Sequence, residues 1–214
     1  MTSVLIIGLG TFGKYVAKHM EQLHCEVMVV DTNETAIDEI SPYVTNALIG
    51  DGTSEAVLRS IGVNNFDVCI VAIGNSFQSS LQVTYLLKQL GANQVVSLAT
   101  NDVQKDFLLR NGADEVVHPE KQMAIRVATK YASETILDFI QLDNNYSIYE
   151  MKVPKEWFGK TLAQIDIRKK FGVNILTIKR NDEVFIPGAD TCFMVDDVAF
   201  VIGEQKSVYK CFKI

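Results

Sequence analysis

Gly8, Gly10 and Gly13 stand in "VLIIGLGTFGKYVAKHM", residues 4–20, with the spacing GxGxxG where an apolar run gives way to a helical one. A turn of this kind suits phosphate. The first glycine permits the tight turn, the second lets an anion approach the backbone, and the third lets the helix pack closely on the strand. The helix start adds N–H groups with no carbonyl partner inside the helix, free to face an anion. Thr11 and Phe12 lie between the last two glycines. The next apolar run, "EVMVVD", ends in Asp31, followed by Thr32. A carboxylate about 20 residues beyond the glycine turn accepts hydrogen bonds from a ribose diol and repels a 2′-phosphate, so an NADP-type ligand is disfavoured. Two further segments end at the same edge. "GDGTSE" puts Asp51, Gly52 and Thr53 where an adenine ring would lie, and "AIGNS" puts Ala72, Gly74 and Asn75 over the same crevice. Asp51 and Thr53 also read as loop and capping residues, since Thr53, Ser54 and Ser76 are all good helix caps.

The elements that must hold these residues follow from the apolar pattern. Strands are expected at 4–8, 26–31, 47–51, 67–74, 94–100 and 115–119, nearly all continuously apolar, as when helices cover both faces of a parallel sheet. Helix-length segments with polar starts lie between them at 11–24, 33–40, 54–61, 76–90 and 102–111, with Gly91 and Gly112 as stops. Strict alternation predicts an α/β fold, a doubly wound parallel sheet of Rossmann-like type, over 1–119. Residues 120–142 contain neither Pro nor Gly and read as one long helix. Met123, Val127, Tyr131, Ile136, Phe139 and Ile140 recur there at mixed spacings, giving a broad apolar surface that needs a partner. The polar break "LDNNYS", 142–147, then leads to a small α+β domain over 146–214. Its strands are expected in "SIYEMKV", "GVNILTIKR", "EVFIP" and "DVAFVIG", with a helix around 162–170.

Composition narrows the function. The 214 residues, 48% hydrophobic and 21% charged, are those of an ordinary globular protein. A formal charge of -6 argues against a nucleic-acid binder. No run approaches the roughly 18 apolar residues of a membrane span, and a core strand begins almost at once, so a cytosolic location is expected. Cys25, Cys69, Cys192 and Cys211 form no CxxC pair, and Cys69 and Cys192 read as small buried hydrophobes. A hydride-transfer enzyme needs an acid or base beside its substrate. His19 and His24 fall in or just after the first helix, and His118 has no evident catalytic partner. With no Ser-His-Asp, metalloprotease or Walker pattern, the residues describe a nucleotide site without a reaction centre, hence no enzyme.

The segments "GLGTFG", "VVDTNE", "VAIGNSFQSSL" and "NGADEVVHPEKQMAIRVA" resemble those of the regulator of potassium conductance (RCK) domain. The likeness is greatest to the cytosolic regulatory subunits of Ktr and Trk potassium uptake systems, with a TrkA-N part followed by a TrkA-C part. The resemblance implies homodimers assembling into an octameric ring that docks on a membrane-embedded potassium-translocating subunit. Nucleotide exchange at the glycine turn would reshape the ring and gate ion flux, and 120–142 would be the crossover between subunits. It further implies that Glu120 helps hold a divalent cation such as Mg2+ near the phosphates. Read without the resemblance, Glu120 is a helix N-terminal carboxylate favoured by the dipole.

The sequence departs from that family at two positions. Ktr-type relatives often carry Arg at the position of Thr11 and Lys or Arg at that of Leu98. A triphosphate loses both counter-charges here, unless Lys14, Lys105 or Arg126 replaces them. The resemblance keeps ATP and ADP as the first ligands, with NAD, NADH or AMP as alternatives. "IDIRKKFGVNILTIKR" is similar to the stretch with which some Ktr regulators bind cyclic di-AMP, matching at Ile167, Arg168, Asn174 and Ile175, with Pro187 weaker. The same residues also read as a packing edge with a surface Arg. The competing functions are a small NAD-dependent oxidoreductase or redox sensor, and a nucleotide-sensing transcriptional regulator. Against the latter, no basic helix-turn-helix pattern is present.

Overall fold

The computed structural model describes residues 1–143 and 145–214 and divides into two compact units, Met1–Lys121 and Gln122–Ile214. In the first, strands β1 (Ser3–Ile7), β2 (Glu26–Asp31), β3 (Asn46–Ile49), β4 (Val68–Val71), β5 (Gln94–Leu98) and β6 (Glu115–Val117) alternate with helices. These are α1 (Thr11–Gln22), α2 (Glu34–Ile40), α3 (Glu55–Ile61), α4 (Phe77–Gln89) and α5 (Asp102–Arg110). The sheet is parallel throughout, in the order β3-β2-β1-β4-β5-β6. Chain order reverses at β1, so the crevice between β1 and β4 is the topological switch point of a doubly wound sheet.

The continuous apolar runs have a direct physical reason. Val4 and Ile6 of β1 point into one core with Val27 and Val29, whereas Leu5 and Ile7 point into another with Val30, Cys69 and Val71. Both faces are buried, so alternation disappears from the sequence. A polar pair sits inside this unit. The Thr84 and Ser97 hydroxyls are 2.8 Å apart and fully buried, and Thr84 also donates to the Ser80 carbonyl.

Beyond the first sheet, α6 (Pro119–Tyr131) is followed by β7 (Ile136–Gln141) and β8 (Tyr146–Lys152). The short helices α7 (Leu162–Ile165) and α8 (Ile167–Phe171) come next, then β9 (Asn174–Arg180), β10 (Glu183–Phe185), β11 (Val198–Glu204) and α9 (Gln205–Phe212). The second unit is an antiparallel sheet in the order β10-β9-β11-β8-β7. Here alternation is clean, with Ser147, Tyr149 and Met151 of β8 and Ala199 and Val201 of β11 inward. Trp157 packs against Phe212 and Phe193 at 5.0 and 5.5 Å between ring centres. Arg180 meets the fully buried Asp197 in a two-pronged pair, Nε to Oδ1 at 2.7 Å and Nη2 to Oδ2 at 2.8 Å. Burial pushes the Asp197 carboxyl up, but Arg180 and the Met194 N–H outweigh it and the group sits below the ordinary carboxylate value.

Several expectations are corrected. The single helix over 120–142 ends at Tyr131, and β7 occupies its last third. Ile136 and Phe139 are both buried although three residues apart, because the β7–β8 register shifts between Ile136 and Asp138. The bulge turns two inward strand positions into a helix-like spacing. Phe139 pairs with Tyr149 and stacks on it at 5.8 Å, a cross-strand contact invisible along the chain. The helix around 162–170 is two helices, broken where Asp166 takes a left-handed backbone (φ 53°). Cys192 is half-buried, while Cys69 and Cys211 are the buried thiols. The helix α9 has no counterpart in the sequence reading. In the polar break at 142–147, Asn144 lies outside the described residues. Among the described residues, no helix is long and apolar enough to cross a membrane.

Candidate functional site

A cleft of about 530 Å³ opens over the C-terminal ends of five of the six strands and the start of α6. Its floor is built by the glycine turn. Gly8, at φ 101°, donates its N–H to the Val30 carbonyl, and a Cβ there would lie 2.9 Å from the Ala72 carbonyl oxygen. Gly13 does not line the cleft. A Cβ on it would collide with the Gly8 carbonyl oxygen, so its role is the close helix–strand packing that sets the turn. Gly10 is the N-cap of α1 without a side-chain cap, and the first turn carries no acidic residue. The N–H groups at this helix start are therefore open toward the cleft, beside Thr11 and Phe12.

The facing strand ends supply the carboxylates. Asp31 closes β2, its Oδ2 accepting the Leu9 N–H at 2.5 Å and its Oδ1 the Asn33 N–H at 2.8 Å. The carboxylate thus braces the glycine turn while facing the cleft next to Thr32. Asp51, Gly52 and Thr53 follow β3. The Thr53 hydroxyl and N–H both donate to Asp51 Oδ1, at 2.7 and 2.9 Å, and hold that carboxyl below its usual value. Ser54, expected as a cap, makes no side-chain capping bond, whereas Ser76 caps α4 by accepting the Ser79 N–H. Ala72, Gly74 and Asn75 line the wall beyond β4, and Leu98 and Glu120 complete the far side.

The structure thus brings every expected nucleotide-site residue except Gly13 to one cleft, together with Glu120. The sequence reading missed Ile7, Val30, Gly50 and Ile73, and also Ser79. Ser79 was legible in principle: three residues after the cap Ser76, it shares that face of the first helical turn, and the two hydroxyls lie 2.8 Å apart.

Charge is distributed one way. Asp31, Asp51 and Glu120 line the cleft, and no Lys or Arg does among the described residues. The cations named as replacements lie elsewhere. Lys14 is paired with Glu39, and Arg126 forks onto Asp138 in the second unit, while Lys105 is exposed and does not line the cleft. His19 and His24 are exposed, and His118 lies outside the cleft lining. No group of three or more His, Cys, Asp or Glu side chains placed to hold a metal ion occurs among the described residues.

In the second unit, the positions matched to cyclic di-AMP binding divide. Arg168 and Asn174 are exposed, and Ile175 and Pro187 are half-buried. Ile167, at 2% exposure, belongs to the core cluster of Ile165, Val173 and Val208.

Comparison with known proteins agrees with this architecture. The TrkA-N domain model matches residues 4–119 and the TrkA-C domain model residues 148–214. The chain is 40% identical over 204 residues to Ktr system potassium uptake protein C of Bacillus subtilis (strain 168), covering 95% of this chain and 92% of the relative. It is 33% identical to Ktr system potassium uptake protein A of the same organism, with the same coverage. Among solved structures, the GsuK channel bound to NAD superposes with a TM-score of 0.68 at 18% identity over 98% of this chain. This chain spans 38% of that channel chain, and the likeness is one of fold. With a six-stranded parallel sheet ending in a glycine-turn cleft and an antiparallel domain after it, the chain belongs to the Ktr potassium uptake protein family, built of a TrkA-N domain followed by a TrkA-C domain.

Proposed function

We propose that this protein is the cytoplasmic, non-enzymatic gating subunit of a Ktr-type potassium uptake system, in which an adenine nucleotide held in the strand-end cleft sets ion flux. One observation carries the reading: the uncapped start of α1 faces the same cleft as Asp31, so phosphate and ribose diol have partners in one site. Asp31 excludes a 2′-phosphate by charge. Glu120 supplies one oxygen to a divalent cation such as Mg2+, the remaining ligands coming from phosphate and water. Homodimers assemble into an octameric ring on a membrane-embedded potassium-translocating subunit. The family likeness and the exposed apolar residues Met123, Val127 and Tyr131 of α6 support self-association. In the second unit Arg168 and Asn174 present a cation and an amide for cyclic di-AMP.

Nucleotide can gate only by binding one ring shape better than another, with a coupling of about 1–3 kcal/mol. The test is potassium flux into liposomes holding the membrane subunit with or without this protein, titrated with nucleotides and cyclic di-AMP. A nucleotide-dependent change in flux of about 5-fold or more is expected, with Asp31→Ala insensitive. Flux indifferent to every nucleotide, or turnover of a nicotinamide cofactor by the protein alone, overturns the reading.

A further inference from the structure

Resting on the reading of the cleft as the nucleotide site, we propose that Gln82, which does not itself line the cleft, is the positioning residue for its Asp51–Thr53 wall. That wall is shaped from within. Asp51 Oδ1 accepts the Thr53 N–H and hydroxyl, and the Asp51 carbonyl accepts the Ser54 N–H at 3.0 Å, closing a turn over 51–54. These bonds fix the shape of the turn and not its place. The strand before it, β3, is the edge of the sheet with three of its four residues exposed, and Ser54 gives α3 no side-chain cap. The place must come from other elements.

Two contacts supply it. Gly52 is buried, and a Cβ on it would collide with the Ile7 side chain and touch Val83 of α4 at 3.8 Å, so its backbone lies against β1 and α4. Gln82 Nε2 donates to the Thr53 carbonyl at 3.0 Å. Among the described residues, this is the only hydrogen bond that reaches 51–54 from beyond that turn and α3. Ser79, Gln82 and Val83 stand at i, i+3 and i+4, neighbours on one face of α4. Ser79 lines the cleft, Gln82 holds the Thr53 carbonyl and Val83 lies beside Gly52. One rigid helix thus sets the separation of Asp51 and Thr53 from Ser79. Without the amide, Gly52 still rests on the core, but the Thr53 carbonyl is free to turn outward and carries the Asp51–Thr53 pair with it. Gln82 is exposed, so its removal strands no buried group, and the cost falls on the loop and not on the fold.

Titration calorimetry and urea unfolding of the full-length, nucleotide-free protein test this, with ADP, ATP and NAD as probes. Gln82→Met keeps the length and helix propensity of the side chain but has no N–H to donate. Whichever probe the unaltered protein binds should lose about fivefold in affinity, with the urea midpoint unchanged. Gln82→Lys, which restores a donor, should recover most of that loss, and hydrogen exchange of the backbone amides in 51–55 should be faster in Gln82→Met alone. In an Asp51→Ala background, where the wall has lost the carboxylate it presents, Gln82→Met should cost less than about twofold. Unchanged affinity in Gln82→Met overturns the positioning role. So does a loss matched by a fall in the urea midpoint, which marks a role in the fold at large, and so does a full loss that persists without Asp51. Binding of none of the three probes by the unaltered protein removes the nucleotide reading itself, and this inference with it.

Discussion

The two units bury similar residues in opposite ways, and that difference decides where a ligand can sit. In the first, helices cover both faces of a parallel sheet, so every strand must end in a loop at the same edge. Backbone N–H groups and short side chains collect there, with Asp31 and Asp51 on neighbouring loops and the start of α1 left without a side-chain cap. In the second, antiparallel strands use their N–H and C=O groups on one another. Their polar investment is internal, in the Arg180–Asp197 pair, with Arg180 also donating to the Cys192 carbonyl. One unit gathers Asp31 and Asp51 at an open edge; the other buries Asp197 beneath Arg180.

Each unit holds one deeply buried thiol that burial pushes up to about 12, Cys69 in the first and Cys211 in the second. Thiol labelling read by mass spectrometry therefore reports on each unit separately. The largest effect is expected from Arg180→Met, which strands the buried Asp197 charge and should cost about 3–5 kcal/mol. Labelling of Cys211 should rise while that of Cys69 stays slow; equal acceleration at both sites would show that the units do not unfold separately. Gly13→Ala attacks the other side of the comparison. Collision with the Gly8 carbonyl should cost about 3 kcal/mol, accelerate labelling of Cys69 and abolish nucleotide binding. Retained nucleotide affinity in this variant would show that the glycine turn does not set the site.

Thr84→Val sharpens the contrast, because it removes the one hydroxyl partner that the buried Ser97 side chain has among the described residues. A loss of about 1–3 kcal/mol in urea unfolding is expected, and no loss would mean that the pair is not a stabilising feature. Asp31→Asn removes the charge and leaves one acceptor for the two backbone N–H groups of Leu9 and Asn33. Nucleotide affinity should fall about tenfold or more, with a modest loss of melting temperature from the unpaired N–H, as calorimetry and thermal unfolding can show.

The smallest effect concerns acid. Hydrogen bonding to Arg126 outweighs burial and, with the Phe139 N–H, holds the Asp138 carboxyl down to about 2. A lowered folded pKa contributes stability that is present above the ordinary carboxylate range and is lost as pH falls toward 2. Asp138→Asn should therefore flatten the acid limb of the second unit's unfolding curve between about pH 4 and 2, without altering stability's pH dependence near neutrality. An unchanged acid limb would deny the pair any such role.

Much of the first unit was legible because its signals are local. "EVMVVD" is β2 to the residue, and the helix starts at Thr11 and Asp102 were found from glycine, cap and periodicity. The second unit was less legible for a physical reason. In "ILDFIQ" the inward spacing is distorted by a bulge whose only cause is pairing with β8, so helix and strand read alike along the chain. Ile167 shows the same limit, since its burial depends on a core assembled from segments far apart in sequence.

The sequence by itself determined the alternation of strand and helix, the glycine turn, the acid after β2 and the family, because each depends on neighbours along the chain. Only the tertiary structure decided that Ser79 shares a cleft with Asp31, Leu98 and Glu120, and that no Lys or Arg among the described residues joins them there. Strand order brings β5 and α6 beside the switch point, and that order is set by burial of both sheet faces and not by any local signal.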